Sequence, residues 1–259
     1  MMRAMASPRG FAFFDLDHTL LPHDTQALFC NYVLRRERWR TLLHAFFLLF
    51  ALLWVARLIS TLRAKRAFSG YLWRMPRARL QKYAVDFVHG SVLPWTYAEV
   101  MAEVERQRGE GRVLVLNTAS PDFYARDLAR ILGFDYCVAT KVRLTDPLSF
   151  HPAIAVNNKR GEKIEAMLAE VPGVAELTAE QRNDHCYAYS DSAADLPLLE
   201  FGGNAVLIHP SPALATLGIR REWSLMHPAR PYGSRAGNML AAARQVLGCY
   251  PEAPERRGK

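Results

Sequence analysis

Cysteine is scarce in this 259-residue chain. The four present, Cys30, Cys137, Cys186 and Cys249, are scattered, and no two form a C-x-x-C pair. That argues against a disulfide framework or a zinc ribbon and predicts reduced thiols in a cytosolic setting. The N-terminal stretch MMRAMASPRG lacks the apolar core of a secretory signal. Internal repeats and low-complexity tracts are missing as well. His23, His151, His185 and His209 have no spacing that suggests a metal cluster. What is abundant is apolar: half of the residues, against 22% charged, a balance that excludes a disordered or collagenous chain. At this length the chain can build one domain with an insert, or two domains.

Acidic side chains are nearly missing from one long segment. Residues 35–82 hold twelve Lys and Arg and one acid, Glu37, so they carry more than the whole chain's formal charge of +8. The same segment contains the most apolar run in the protein, Leu42 to Ala56, interrupted only by His44. Cationic flanks around a greasy, aromatic stretch suit an anionic membrane surface; the alternative is the buried interior of a helical subdomain. Nucleic acid is not expected, because the charges flank an apolar run and do not line a polar face.

The rest alternates short apolar runs with helical stretches. Phe11–Phe14, Val113–Leu116, Tyr136–Ala139, Cys186–Tyr189 and Ala205–Ile208 read as buried strands. Helices are predicted through most of 24–108, then over 121–132, 161–170, 194–201 and 237–247, with short β-like pieces in 140–157. This pattern predicts an α/β fold: a doubly wound, Rossmann-like parallel sheet with an inserted all-helical cap. The expected division is a core of 8–22 and 108–226, a basic and apolar cap of 23–107, and a C-terminal helix with a polar tail over 227–259.

In such sheets ligands bind outside the carboxyl ends of the strands. There the sequence places Asp15, Asp17 and Thr19 after the first strand, Thr118 and Ser120 after the second, and Asp191 with Asp195 after the fourth. Four carboxylates at one sheet end predict a cation among them. Magnesium takes one or two carboxylates, waters and substrate phosphate, and Asp15, Asp17 and Asp191 are its candidate ligands. A carboxylate nucleophile, a second carboxylate two residues on, a strand-end hydroxyl and a lysine at a helix start suit phosphoryl transfer. Lys163 is the candidate cation, with Lys159 four residues upstream as its competitor. Ser120 competes with Thr118 as helix cap, and Asp24 stands at the cap entrance.

F-D-L-D-H-T at 14–19, L-N-T-A-S-P at 116–121, G-E-K at 161–163 and S-D-S-A-A-D-L-P-L-L at 190–199 resemble, in order, the four motifs of the haloacid dehalogenase superfamily. The phosphoserine-phosphatase-like branch, with a helical cap between the first two motifs, is the nearest subgroup. The resemblance implies Asp15 as the nucleophile that becomes phosphorylated and Asp17 as general acid/base, with its backbone carbonyl on magnesium. It implies that Thr118 hydrogen-bonds the phosphoryl group, that Lys163 neutralises Asp15 and the phosphoryl oxygens, that Asp191 binds Mg2+, and that Asp195 supports that shell. His18 and Ser190 stand where many members have glycine; His18 is expected to act as a gate or leaving-group contact. Intact reacting groups speak against an inactive binding module.

Thr41–Leu62 is long enough, as one helix, to span a bilayer: about 33 Å. A single crossing would place Asp15 on one side and Thr118, Lys163 and Asp191 on the other. The run is therefore an interfacial or re-entrant hairpin, or the cap interior. A greasy basic cap on this core resembles the bacterial phosphatidylglycerophosphatase C group. That implies a lipid phosphomonoester as substrate, with a small soluble phosphomonoester of the phosphoserine kind as the alternative. It also implies a peripheral location on the cytoplasmic face of the inner membrane.

Overall fold

Phe11–Phe14 is buried along its whole length, as a strand must be when it has neighbours on both edges and layers on both faces. The computed structural model describes residues 10–159 and 161–252; the expectations for residues 8, 9 and 253–259 lie outside the described residues. This strand, β1, is central in a seven-stranded sheet with β2 (Val113–Pro121), β3 (Tyr136–Arg143), β4 (Ala153–Val156), β5 (Tyr187–Ser190), β6 (Asn204–Ile208) and β7 (Ser224–Met226). The order is β4-β3-β2-β1-β5-β6-β7, parallel except for β4, which runs antiparallel to β3. From β1 the chain winds out one way through β2 and β3 and the other way through β5, β6 and β7. The winding reverses beside β1, and the crevice at its carboxyl end is where such folds bind ligands. The start of β1 lies so close to the segment that enters β5 that a Cβ at Gly10 would overlap the His185 carbonyl oxygen.

After β1 come helices α1 (Thr25–Arg36), α2 (His44–Val55), α3 (Thr61–Phe68) and α4 (Arg77–Phe87). Helix α5 (Ala98–Gly109) leads into β2 and α6 (Asp122–Ile131) leaves it; α7 (Gly161–Glu170) and α8 (Ala179–His185) precede β5. Helices α9 (Leu196–Phe201) and α10 (Pro212–Arg220) flank β6, and α11 (Arg235–Val246) follows β7. Strand alternation sorts the core. Ala12 and Phe14 face Leu28, Phe29, Phe87, Val100 and Tyr124, whereas Phe11 and Phe13 face Met167, Val171, Leu199 and Leu214. The Phe14 and Tyr189 rings of neighbouring strands stack 4.1 Å apart. Helices α1 and α4 thus share the sheet's own core.

Two expectations about elements change. Strand β2 continues past Leu116 to Pro121 and carries Thr118 and Ser120 within it, so α6 begins only at Asp122. The 41–62 run is not one long helix. It opens with a 3-10 turn (Arg38–Leu43), forms the 12-residue α2, turns at Arg57 (φ 59) and returns as α3, capped by Ser60. Helix α2 is about 18 Å long, and among the described residues no helix is long and apolar enough to cross a membrane. Both helices of the hairpin dock: Arg66 Nε of α3 donates to Pro152 O (3.2 Å) and Phe68 packs on Tyr71, while Phe46 and Phe50 of α2 pack on Phe150 and His151. Helix α11 lies on α1, where Asn31 and Tyr250 exchange two buried hydrogen bonds.

Candidate active site

Asp15 is the first residue beyond β1, and its N–H donates to Tyr189 O of the neighbouring strand (3.0 Å). Its carboxylate therefore projects from the sheet's carboxyl edge. Lys163, in the first turn of α7, is fully buried and donates from Nζ to Asp15 Oδ1 (2.7 Å) and Asp195 Oδ2 (2.8 Å). Lys159 lies in the cavity wall farther out, so the structure brings Lys163 and not its competitor onto Asp15. Lys163 is held from behind: its backbone carbonyl accepts from Asn117 Nδ2, and Asn117 Oδ1 accepts from Asn158 Nδ2 (2.8 Å).

Asp195 is braced a second time by Ser190 Oγ, which donates to Oδ2 (2.8 Å) and itself accepts the Ser192 N–H. The serine at 190, where many members of the family have glycine, therefore adds a positioning bond. Asp191 stands beside the same group, and its N–H is fixed by Thr19 Oγ1 (3.1 Å). Among the described residues its carboxylate forms no ion pair. Thr118 is fully buried behind the cavity wall, which Ala119 and Ser120 line and Thr118 does not; its Oγ1 accepts the Ser120 N–H (3.0 Å), leaving its hydroxyl proton to donate.

Asp17 is gripped more firmly than the sequence indicated. Oδ1 accepts from Thr25 N (2.8 Å) and Thr25 Oγ1 (2.6 Å), and Oδ2 accepts from Ser120 Oγ (2.7 Å). Thr25 opens α1, whose N-cap is Asp24. The start of α1 and the end of β2 thus orient Asp17 together. Burial and the Asp24 charge push Asp17 up to about 6, with the Thr25 and Ser120 hydrogen bonds pulling the other way. Burial pushes Asp15 up to about 7 against the pull of Lys163, and repulsion from Asp195 and Asp17 adds to it. Burial, Asp15 and Asp195 push Asp191 up to about 8. Burial opposes the charge on Lys163, but Asp15 and Asp195 outweigh it and raise its pKa.

Three crowded carboxylates that resist ionisation, two of them (Asp17 and Asp191) without an ion-pair partner among the described residues, form a place that a cation would relieve. Among the described residues no three His, Cys, Asp or Glu side chains are close enough to hold a metal alone. Magnesium does not require that: two carboxylates, a backbone carbonyl, waters and phosphate oxygens suffice. The all-oxygen donor set of Asp15, Asp191 and the Asp17 carbonyl fits it.

A cavity of ≈ 560 Å³ stands above these groups. Its floor is Asp15, Asp17, Lys163, Asp191 and Asp195; its roof is Phe47, Ala51 and Trp54 of α2 with Leu62 and Phe68 of α3. His18, held at φ 59, and Asp24 stand in the wall. One lysine the sequence did not single out enters from the cap: Lys65 of α3 lines the cavity and donates to Ala119 O (2.6 Å). Burial lowers its pKa. In the sequence it was one of twelve basic residues, and only the docking of α3 picks it out.

The sequence pattern of the haloacid dehalogenase-like hydrolases matches residues 12–200. The chain is 28% identical to the "inhibition of morphological differentiation protein" of Streptomyces azureus over 86% of this chain and 80% of that one. It is 29% identical to a probable phosphatase of Mycobacterium tuberculosis over 61% of this chain; the match spans 53% of that relative's length. Among solved structures, a protein of unknown function from Bordetella pertussis Tohama I superposes with TM-score 0.67 at 24% identity, covering 85% of this chain and 98% of that one. A phosphoserine phosphatase, solved as a phospho-aspartyl intermediate analogue, superposes with TM-score 0.55 at 15% identity, covering 86% and 94%. The chain belongs to the haloacid dehalogenase-like hydrolase family and has the phosphoserine-phosphatase-like form of its fold.

Proposed function

We propose that this family phosphatase is a magnesium-dependent phosphomonoesterase that works through an aspartyl-phosphate on Asp15, and that its substrate is a lipid phosphate of the phosphatidylglycerophosphate kind. One observation carries the substrate reading: the cavity joins a charged floor to an apolar roof. A phosphate fits the floor. A phosphoserine-like remainder finds Asp24 and Lys65 in the wall but leaves Phe47, Ala51, Leu62 and Phe68 without an apolar partner. An acyl remainder covers those side chains. The basic segment 35–82 matches the anionic membrane surface in which such a substrate resides, on the cytoplasmic face.

The chemistry follows from the positions. Lys163 holds Asp15 Oδ1, which leaves Oδ2 to attack phosphorus. As the new O–P bond forms, the bond to the leaving alkoxide breaks, and Asp17 gives that oxygen its proton. Asp17 then takes a proton from water as the water's oxygen attacks the aspartyl-phosphate, releasing inorganic phosphate and free Asp15. A pKa near 6 suits a group that must serve as acid and then as base. The Lys163 ammonium and the Thr118 hydroxyl offset charge on the phosphoryl oxygens. Magnesium, if held by Asp15, Asp191 and the Asp17 carbonyl, would supply further positive charge to offset the transferring phosphoryl group. The phospho-aspartyl analogue of the related phosphoserine phosphatase and the M. tuberculosis probable phosphatase support this reading.

The test is hydrolysis of phosphatidylglycerophosphate in mixed micelles beside free phosphoserine, each with magnesium and with EDTA. The lipid should be the better substrate by kcat/KM, and EDTA should silence both. Turnover of phosphoserine alone would overturn the lipid assignment and leave the phosphatase standing.

A further inference from the structure

After His44, helix α2 carries only aliphatic and aromatic side chains, the Trp54 N–H its one polar group. A helix that is apolar on every side is normally buried on every side. This one is not. Residues 47, 51 and 54 face the cavity, residues 49 and 52 fall on the opposite side of the helix, and Phe46 lies on its flank against Phe150; 46, 49 and 52 all remain exposed. Leu42 is 76% exposed, Phe46 57%, Leu49 56%, Leu52 68% and Leu58 70%. The patch is continuous with the cavity mouth: Val55 and Trp54 line the cavity and are 73% and 46% exposed. An apolar surface this extended on a folded chain marks a contact site.

Charge identifies the partner. From Arg38 to Val85 the chain has no Asp or Glu. Arg57 at the tip of the hairpin and Arg63 on α3 are exposed, and among the described residues neither forms an ion pair. A second copy of this chain would bring the same uncompensated arginines to the contact. An anionic lipid surface brings the opposite charge together with an apolar layer for the leucines.

We propose that the outer face of the α2–α3 hairpin is a membrane seat that lays α2 in the plane of an anionic bilayer and sets the cavity mouth at the lipid–water boundary. Because the same helix roofs the cavity, seating also delivers the substrate: acyl chains remain among Trp54, Val55 and Leu62 while the phosphate reaches Asp15. The seating itself is independent of the substrate; the delivery rests on the lipid-phosphate reading above.

The experiment uses the full chain and vesicles without any phosphomonoester lipid, so a wrong substrate assignment cannot disturb it. Flotation is measured with phosphatidylcholine vesicles and with vesicles containing about one-third phosphatidylglycerol. Wild type should float with the anionic vesicles. Leu49→Glu/Leu52→Glu should reduce that binding at least tenfold, and Arg57→Ala/Arg63→Ala should weaken it and remove its dependence on salt. Hydrolysis of a water-soluble aryl phosphate should be unchanged in the leucine variant, which shows that it is folded. Three results would overturn the seat: no flotation of wild type, undiminished flotation of the folded leucine variant, or a wild-type dimer that the leucine substitutions split while vesicles remain unbound. Flotation without lipid-phosphate hydrolysis would sink only the substrate reading and the delivery that depends on it.

Discussion

The Lys163 ammonium is shared between Asp15 and Asp195, at 2.7 and 2.8 Å, and neither carboxylate holds it alone. Asp195 anchors the lysine so that Asp15 keeps an oxygen free for chemistry. The equivalent economy at Asp17 is made by hydroxyls: Thr25 and Ser120 stabilise its ionised form, and each such bond lowers its pKa. Ser120→Ala removes one donor, so the Asp17 pKa should rise. The free enzyme must hold Asp17 protonated for the first step, so kcat/KM falls as pH climbs through that pKa. In Ser120→Ala this limb should move to higher pH in a kcat/KM profile; an unmoved limb would separate Ser120 from Asp17. The four motif carboxylates and Lys163 were legible because each follows an apolar strand or opens a helix, where chain position alone sets location. Thr25 and Lys65 were not. Thr25 reaches the site through the packing of α1 on the sheet and Lys65 through the docking of α3, and neither placement follows from motif spacing.

Helix α11 shows how an element outside the motifs supports the site. It lies on α1, and its Val246 enters the cavity wall. The clasp is Asn31: Nδ2 donates to Tyr250 O and Oδ1 accepts the Tyr250 N–H. In Asn31→Ala the Tyr250 carbonyl keeps Arg35 as donor, but its N–H loses its partner. The loss should be about 1–3 kcal/mol, measured by chemical denaturation; a change near zero would show that the clasp is not closed in solution. The long apolar strands were readable as runs. Helices α8 and α10 and strand β7 were not, because each is short and carries little periodic signal of its own. The extension of β2 was missed for another reason: Thr118 and Ser120 resemble cap residues, yet Ser120 continues the strand and uses its hydroxyl on Asp17.

At the scale of the whole molecule, the crowding of Asp15, Asp17 and Asp191 at one sheet edge is a cost to the fold without a cation. Ordinary carboxyls ionise near 3.8, whereas Asp15 and Asp191 are pushed to about 7 and about 8. Between those values the folded chain holds protons that the unfolded chain has released, so stability falls as pH rises. His23 acts in the opposite sense: burial lowers it to about 4 from 6.5, so its contribution rises with pH and levels off only above 6.5, which blunts the first part of the fall. From pH 6.5 to 8.5 the Tm in EDTA should therefore drop, and excess magnesium should flatten or reverse the drop; equal slopes with and without magnesium would contradict a cation at Asp15 and Asp191. The doubly wound sheet and a site at the carboxyl ends of its strands were legible from the alternation of apolar runs with helices and from the motifs, while the strand order and the two-faced hairpin needed coordinates. The central claim is that Asp15 takes the phosphoryl group. The direct measurement is peptide mass spectrometry of enzyme acid-quenched during turnover of an aryl phosphate with magnesium. The account predicts one added phosphoryl group on the peptide that carries Asp15, lost in Asp15→Asn together with turnover. A phosphoryl group on another residue, or full turnover by Asp15→Asn, would contradict it.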